Sequence, residues 1–301
     1  MTLPLKFDNN GNFKIVQFTD LHEGPNIDKT IDLMNKILQY EKPNMVIITG
    51  DIIDGKCKTV DDIKKAISYI AEPMETRSIP WAIVFGNHDD EHGMMTKEAM
   101  MKFYMDFKYN VSEIGYKTFD RIGNYNILIE SLKDNTPKFN IYMMDSGKYA
   151  PFYIGYNWIK FTQISWYKRT ALNLKQKHGK IIPALMFFHI PLRKFKKAWI
   201  SKLIDGKRCE KERCGRINLC FFNTLVRTGD VKGIFVGHDH LNNYCGLLKG
   251  IKLGYAGHTG YTGYWKHDIT RGARIFIINE SDPTNFETWL RQEGDKELNS
   301  K

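Results

Sequence analysis

The stretch Val46–Asp54 (VIITGDIID) constrains the fold more than any other, because it carries an apolar run straight into a glycine and a carboxylate. That pattern is typical of a buried strand that delivers a charged group to its C-terminal edge. Gly50 allows the backbone to turn where a Cβ would obstruct it. Burying the Asp51 carboxylate costs free energy unless it is paired or bound to a metal. We therefore expect Asp51 to face a cationic partner.

Strands and helices alternate along the first hundred residues, which predicts parallel strands joined by right-handed crossovers. Apolar spacing indicates strands at residues 13–20, 46–49 and 81–85, and helices at residues 27–40, 60–72 and 96–107. Further along, it indicates strands at residues 125–130, 139–145, 184–188, 233–236, 251–255 and 273–278, and helices at residues 162–177 and 221–227. The basic, cysteine-bearing stretch 194–220 is interpreted as an insertion near the functional site, within one domain spanning residues 1–301.

Composition narrows the class of protein. Hydrophobic residues make up 42 % and aromatic residues 13 % of the 301 residues, which is ample for a continuous core. The 44 Lys and Arg against 34 Asp and Glu give a formal charge of +10, which suits an anionic substrate but equally a chain with many solvated lysines. The start has no signal-peptide pattern, and the longest apolar run, 181–188, is too short to cross a bilayer. We expect a cytoplasmic protein with no membrane contact and no dedicated nucleic-acid surface, and we leave its oligomeric state open.

Five cysteines are an odd number, so at least one thiol is free or pairs between chains. Cys209, Cys214 and Cys220 fall in one loop-like stretch, but their spacing does not match a C-x-x-C zinc site. Whether Cys209 and Cys214 form a bridge is left open.

Five of the predicted strands end in residues that commonly bind metals. These ends are Asp20-Leu21-His22, Gly50-Asp51-Ile52-Ile53-Asp54, Gly86-Asn87-His88-Asp89, His189 and Gly237-His238-Asp239-His240. Each end alone also fits a turn, a helix cap or a core histidine. Together they predict one site, because ligands of open α/β sheets bind at the carboxyl ends of strands. Carboxylate, imidazole and amide groups suit Mn, Fe or Zn, and the lack of cysteine argues against a closed structural zinc site.

In order and type, these five blocks resemble the signature of the calcineurin-like metallophosphoesterases: D-x-H, G-D-x-x-D, G-N-H-D/E, a lone H and G-H-x-H. Further stretches, including 85–91, 188–192, 229–232 and 255–261, resemble the purple-acid-phosphatase-like single-domain branch. The resemblance implies an α/β fold, a four-layer αββα sandwich with two mixed β-sheets flanked by helices. It also implies two metal ions bridged by Asp51. One ion would be held by Asp20, His22, Asp51 and His240, and the other by Asp51, Asn87, His189 and His238.

The chain departs from the purple enzymes at Asp54, where they carry the tyrosine that binds Fe(III) and gives the colour. We therefore expect no tyrosinate absorption band. Hydrolysis of a phosphate ester by in-line attack of a metal-held hydroxide is the expected chemistry. We assign His88 to stabilising the transition state or protonating the leaving oxygen, with Asp54 or Asp89 orienting His88 or a ligand histidine.

Specificity is expected to lie in residues 148–156 and 194–220. The resemblance also places His258 and Tyr261 at the rim of the site, although a packed aromatic loop is the alternative. The substrate, whether a phosphoprotein, a nucleotide or a small phosphate ester, is left open, as is the identity of the metals. Two alternatives remain: a phosphodiesterase or nuclease on the same metal core, and a non-catalytic scaffold that has lost its metals. Because every motif position is filled, the scaffold is the weaker of the two.

Overall fold

The computed structural model describes residues 5–24, 28–53, 55, 57–118, 121–267 and 269–299. Within these residues, the strands form two mixed β-sheets. In chain order the strands are β1 (Leu5–Lys6), β2 (Asn12–Phe18), β3 (Met45–Thr49), β4 (Trp81–Val84), β5 (Tyr125–Glu130), β6 (Pro137–Met143), β7 (Ala184–Phe187), β8 (Leu203–Asp205), β9 (Val231–Val236), β10 (Cys245–Leu248), β11 (Ile251–Tyr255), β12 (Gly272–Asn279) and β13 (Glu287–Gln292). The helices are α1 (Asp28–Glu41), α2 (Val60–Glu75), α3 (Lys97–Met105), α4 (Phe161–His178), α5 (Phe195–Ser201), α6 (Phe221–Thr228) and α7 (Lys296–Asn299).

The smaller sheet has the strand order β13-β12-β2-β3-β4. Strands β2, β3 and β4 run parallel, whereas β12 is antiparallel to both of its neighbours. Helices α1 and α2 connect the parallel strands, as the alternating sequence pattern predicts. All three parallel strands therefore end at the same edge of the sheet.

The larger sheet has the strand order β1-β5-β6-β7-β9-β11-β10-β8. Its central strands β6, β7, β9 and β11 are parallel, and antiparallel pairs lie on either side of them. This sheet brings the carboxyl ends of β7 and β9 next to each other.

The two sheets pack face to face, because successive side chains of a strand point to opposite sides. Met45 and Ile47 of β3 lie in a core shared with Phe187 and Phe235 of the larger sheet. The other face of the smaller sheet packs against α1, α2 and α3, and the other face of the larger sheet packs against α4, α5 and α6. This arrangement confirms the predicted α/β fold of two mixed sheets flanked by helices.

The stretch 194–220 is less of an insertion than we expected. Its first part is α5, which buries Phe195 and Ala198 against the larger sheet, and β8, which pairs with β10. Only the part after β8 is irregular, and there Cys209 and Cys214 are free thiols, so the bridge left open by the sequence does not form. Among the described residues, no helix combines the length and the apolar character needed to cross a membrane.

Candidate metal centre

All seven residues that the motifs nominate as metal ligands lie at the carboxyl ends of parallel strands. Asp20 and His22 follow β2, Asp51 follows β3, Asn87 follows β4, His189 follows β7, and His238 and His240 follow β9. Every one of them is buried. The smaller sheet thus supplies the carboxylates and the larger sheet supplies three of the four imidazoles, and the site lies where the two sheets meet.

Asp20, His22 and His240 form one group, which we call the Asp20 cluster. The Nε2 atoms of His22 and His240 are 3.0 Å apart. The Oδ1 atom of Asp20 lies 3.3 Å from His240 Nε2 and 3.9 Å from His22 Nε2. Three ligand atoms that converge in this way could hold one metal ion.

Asp51, His189 and His238 form a second group, which we call the Asp51 cluster. The Oδ2 atom of Asp51 is 3.0 Å from His189 Nε2, and His189 Nε2 is 3.3 Å from His238 Nδ1. The same Oδ2 atom lies 3.7 Å from His22 Nε2, so Asp51 also faces the Asp20 cluster. This is the geometry expected of a carboxylate shared between two ions.

Asn87 offers a further ligand atom beside the Asp51 cluster. Its side chain is fully buried, and its Oδ1 atom accepts no hydrogen bond from the part of the chain that the structure describes. A buried amide oxygen without a partner costs free energy, which a bound cation would recover. This atom and the donor set of carboxylate and imidazole groups therefore fit a metal.

The backbone at four of these residues lies in the left-handed region, where residues other than glycine are uncommon. The φ angles are 52° at Asp20, 49° at His22, 49° at Asp51 and 77° at His238. Such conformations cost on the order of 1 kcal/mol each and concentrate at functional sites. At each strand end the left-handed conformation turns the chain away from the strand. The side chain then points toward the site where the two sheets meet.

Two glycines allow the strand ends to approach one another closely. A Cβ on Gly86 would overlap the Asp51 carboxylate, and a Cβ on Gly50 would lie 2.8 Å from His189 Nδ1. Gly50 also has a φ of 85°, which an L side chain rarely adopts. The glycines of the G-D and G-N motifs thus make room for ligand residues that come from neighbouring strand ends.

Backbone carbonyls orient two of the histidine rings. His189 Nδ1 donates to the Thr49 carbonyl at 2.8 Å, and His240 Nδ1 donates to the Tyr264 carbonyl at 3.0 Å. A ring that donates from Nδ1 presents the lone pair of Nε2 in its neutral form. In both residues Nε2 is the atom that faces the neighbouring carboxylate.

The charges of the site favour positive partners. Burial by itself would raise the pKa of Asp51, but the adjacent His189 and His22 imidazoles hold the pKa well below its ordinary value. Burial would lower the pKa of His189, whereas the Asp51 carboxylate raises that pKa to about 9. Two buried carboxylates in one pocket therefore stabilise bound cations, whether protons or metal ions.

Asp89 has different partners from those we expected. Its carboxylate accepts hydrogen bonds from the backbone amides of Gly86, Asp51, Ile52 and Ile53, at 2.6 to 3.1 Å, rather than contacting His88 or a ligand histidine. Burial and then the nearby Asp51 charge raise the pKa of Asp89 to about 6, although the amide donors oppose that rise. Asp89 therefore ties the loop after β3 to the loop after β4. Asp54, the other residue expected to orient His88, lies outside the described residues.

His88 lines an open cavity of about 450 Å³ above the two clusters. Its backbone amide donates to Asp51 Oδ1 at 2.8 Å, and its ring packs edge-on against His22. The remaining walls include residues that motif reasoning did not nominate as ligands or catalysts: Tyr156, Glu210, Arg213 and Tyr264. The first three fall in the two stretches to which we assigned specificity.

Only part of the aromatic loop that carries His258, Tyr261 and Tyr264 lies at the rim of the cavity. His258 is fully buried and stacks behind His240, with ring centroids 5.4 Å apart, so it supports that ligand from below the cavity. Tyr261 contacts Glu293 and lines a separate surface pocket, so the structure does not bring it to the site. Tyr264 is the rim residue, and its ring stacks on His240 at 4.1 Å.

Comparison with known proteins agrees with this geometry. The family model described as calcineurin-like phosphoesterase matches residues 13–242. The Arabidopsis thaliana protein named "Probable inactive purple acid phosphatase 29" is 34 % identical to this chain, over 91 % of the chain and 79 % of the relative. Phosphatase DCR2 of Saccharomyces cerevisiae is 33 % identical, over 94 % of the chain and 54 % of the relative.

Among solved structures, a dimetal phosphatase from Danio rerio has the same fold, with a TM-score of 0.58 at 15 % identity, over 92 % of this chain and 98 % of that one. The sequence resemblance through the five motif blocks is thereby confirmed. The chain belongs to the calcineurin-like phosphoesterase family.

Proposed function

We propose that this chain is a phosphoric ester hydrolase that uses two metal ions. The observation that carries the proposal is the pair of ligand clusters on the floor of an open cavity, with Asp51 of one cluster facing His22 of the other. Two ions at such a centre, when bound, supply an activated water and a Lewis-acid clamp on the phosphoryl oxygens. The donor set of imidazole, carboxylate and amide groups suits Mn, Fe or Zn.

The residues of the chain have three further roles: balancing the charge of the ions, positioning the ions, and donating a proton. Asp20 and Asp51 balance the charge of the ions, and the buried histidines fix their positions. His88 lies in the cavity wall beside His22, where its ring can reach an oxygen of a bound phosphate ester. We assign His88 to the leaving oxygen, whose departure a donated proton accelerates by about 100- to 10,000-fold.

The names of the relatives point in two directions. A yeast relative and the Danio rerio structure are called phosphatases, whereas three relatives from Arabidopsis thaliana are called probable inactive purple acid phosphatases. This chain keeps a ligand-type residue at every motif position, and the ligand atoms converge. That convergence supports catalysis over a scaffold that no longer binds metal.

The test is a metal-reconstitution assay. The purified protein is stripped with a chelator, reloaded with Mn, Fe or Zn, and assayed on p-nitrophenyl phosphate and on bis(p-nitrophenyl) phosphate. We expect turnover of the monoester that stripping abolishes and at least one of the metals restores. Faster turnover of the diester would replace the phosphatase with a phosphodiesterase. Inactivity on both esters with every metal would contradict the proposal.

A further inference from the structure

Glu91 joins the catalytic histidine to a different part of the chain. One carboxylate oxygen, Oε2, contacts His88 Nδ1, and the other, Oε1, accepts a hydrogen bond from the Tyr149 hydroxyl at 2.5 Å. The backbone amide of Glu91 donates to the His88 carbonyl at 3.1 Å, so the two residues share one tight turn. None of these three residues belongs to the Asp20 or the Asp51 cluster.

Three successive acidic residues follow His88, and each contacts a different partner. Asp89 accepts hydrogen bonds from backbone amides, as described above. The Asp90 carboxylate pairs with Lys148 Nζ at 3.0 Å. Of the three, only Glu91 contacts the His88 ring.

Tyr149 is itself held in place by a short hairpin, Lys148–Asn157. Ala150 donates to the Gly155 carbonyl at 2.9 Å, and Asn157 donates to the Lys148 carbonyl at 2.8 Å. The hairpin also carries Tyr156, whose ring meets His238 edge-on at 4.3 Å. One small element therefore contacts both Glu91, the partner of the cavity-wall histidine, and a candidate metal ligand.

We propose that Glu91, held by Tyr149, is the positioning residue for His88. The His88 backbone is already fixed by its hydrogen bond to Asp51, so rotation of the side chain is the freedom that remains. With Nδ1 bound to Glu91, Nε2 is the nitrogen left for the cavity. The inference rests on the proposed function, because it concerns the same reaction.

The position of the His88 ring affects catalysis through the proton that the ring donates when the ester bond breaks. Water adds to phosphorus and loses one proton to solvent, while the bond from phosphorus to the leaving oxygen breaks and that oxygen takes the electron pair. The proton on His88 Nε2 passes to the leaving oxygen, and Nε2 regains a proton from solvent after the alcohol departs. The proton on Nδ1 stays between the ring and Glu91 throughout. A ring that rotates freely delivers this proton less often, and the loss grows as the leaving group becomes more basic.

The test compares Glu91→Gln with wild type on two monoesters, an alkyl phosphate and 2,4-dinitrophenyl phosphate. For the alkyl ester we expect kcat to fall by about 10- to 100-fold with KM nearly unchanged, because positioning partners typically contribute that much. For the dinitrophenyl ester, whose leaving group needs no proton, we expect less than about a 3-fold change. Metal content should equal that of wild type. Tyr149→Phe should give the same pattern with a smaller loss.

Two further variants separate positioning from a general structural role. In a His88→Ala background, Glu91→Gln should cause no additional loss, because residues that act through one another are not additive. Glu98→Gln removes an exposed carboxylate of α3 that pairs with Lys117 and Lys102, and it should leave both rates unchanged.

Four results would overturn the role of Glu91 while leaving the proposed hydrolase function intact. They are equal decreases in kcat on the two esters, a loss of bound metal, a further decrease in kcat in the His88→Ala background, and an unchanged kcat on the alkyl ester. Inactivity of the wild type on both esters would instead overturn the proposed function, and the role of Glu91 with it.

Discussion

The two ligand clusters differ in what holds them. In the Asp51 cluster, His189 is completely buried and its ring is oriented by the carbonyl of Thr49, the last residue of β3. In the Asp20 cluster, His240 is oriented by the carbonyl of Tyr264 and covered by the ring of Tyr264, which is 52 % exposed. The Asp51 cluster is therefore held by the core of the sheets, whereas the Asp20 cluster is held in part by a surface loop.

This difference predicts unequal affinities for the two ions. Ligands fixed by strands keep their geometry when the ion leaves, whereas ligands fixed by a loop gain freedom. We expect the ion of the Asp20 cluster to dissociate first. Substitutions in the two halves test that contrast, and the first is at Asp51, which we propose that the two halves share.

Asp51→Asn should have the largest effect, because Asp51 is the carboxylate that we propose both halves share. We expect the purified protein to contain neither ion, and activity to fall on the order of 1,000-fold or more, which corresponds to several kcal/mol of lost stabilisation of the transition state. Elemental analysis and the phosphatase assay measure the two outcomes. Asp230→Asn is the matched control, since it alters a buried carboxylate bound to the Tyr142 and Tyr167 hydroxyls at the far end of β9. Full retention of both ions by Asp51→Asn would contradict a shared ligand.

Exchanging one histidine in each half should have the next largest effect. His22→Gln and His189→Gln should each reduce the metal content by about one ion, since each removes one of the few protein ligands of a single ion. Only His189→Gln should also lower the melting temperature of the metal-free protein, by about 2–4 °C per kcal/mol lost, because His189 is fully buried and hydrogen-bonded to β3. Thermal unfolding in a chelator distinguishes the two. Equal melting temperatures of the two metal-free variants would show that His189 contributes no more to the stability of the fold than His22 does.

Truncating the loop residue should have the smallest effect, confined to one half. Tyr264→Ala removes the ring that covers His240, and we expect the weaker ion to bind about 10-fold less tightly, since outer partners of metal ligands contribute that much. Tyr264→Phe keeps the ring and loses the two contacts of the hydroxyl, which donates to Glu210 and accepts from the His240 backbone amide, so its effect should be smaller. Chelator titration followed by metal analysis measures both. Tyr261→Ala, in the same loop but turned toward Glu293, should change neither ion. Loss of the tighter ion in Tyr264→Ala would contradict the contrast.

The convergence of the candidate ligands could be predicted because its signals are local. An apolar strand that ends in Gly50-Asp51 or in Gly237-His238 identifies both the element and the side chain at its end, and the rule for strand ends brings such residues together. The partners of Asp89 could not be predicted in this way. They depend on how the loop after β4 lies across the loop after β3, which neither stretch encodes by itself.

The same limit explains the other omissions. Glu91 is three residues from His88, but the hydroxyl that holds it comes from Tyr149, far along the chain. Tyr261 is close in sequence to Tyr264, yet the loop turns the two side chains to different places. Strand β13 was not predicted, because it is an edge strand with no fully buried residue and shows no apolar alternation.

The left-handed backbone at Asp20, His22, Asp51 and His238 has a consequence for the history of such chains. Glycine, and to a lesser extent asparagine, adopts these conformations with less strain than histidine does. A lineage released from metal binding would gain stability by exchanging these residues, so neutral drift should erase them early. The residue types at these left-handed positions therefore report whether a chain has kept its capacity to bind metal. In this chain all four positions still carry a residue that can bind a metal.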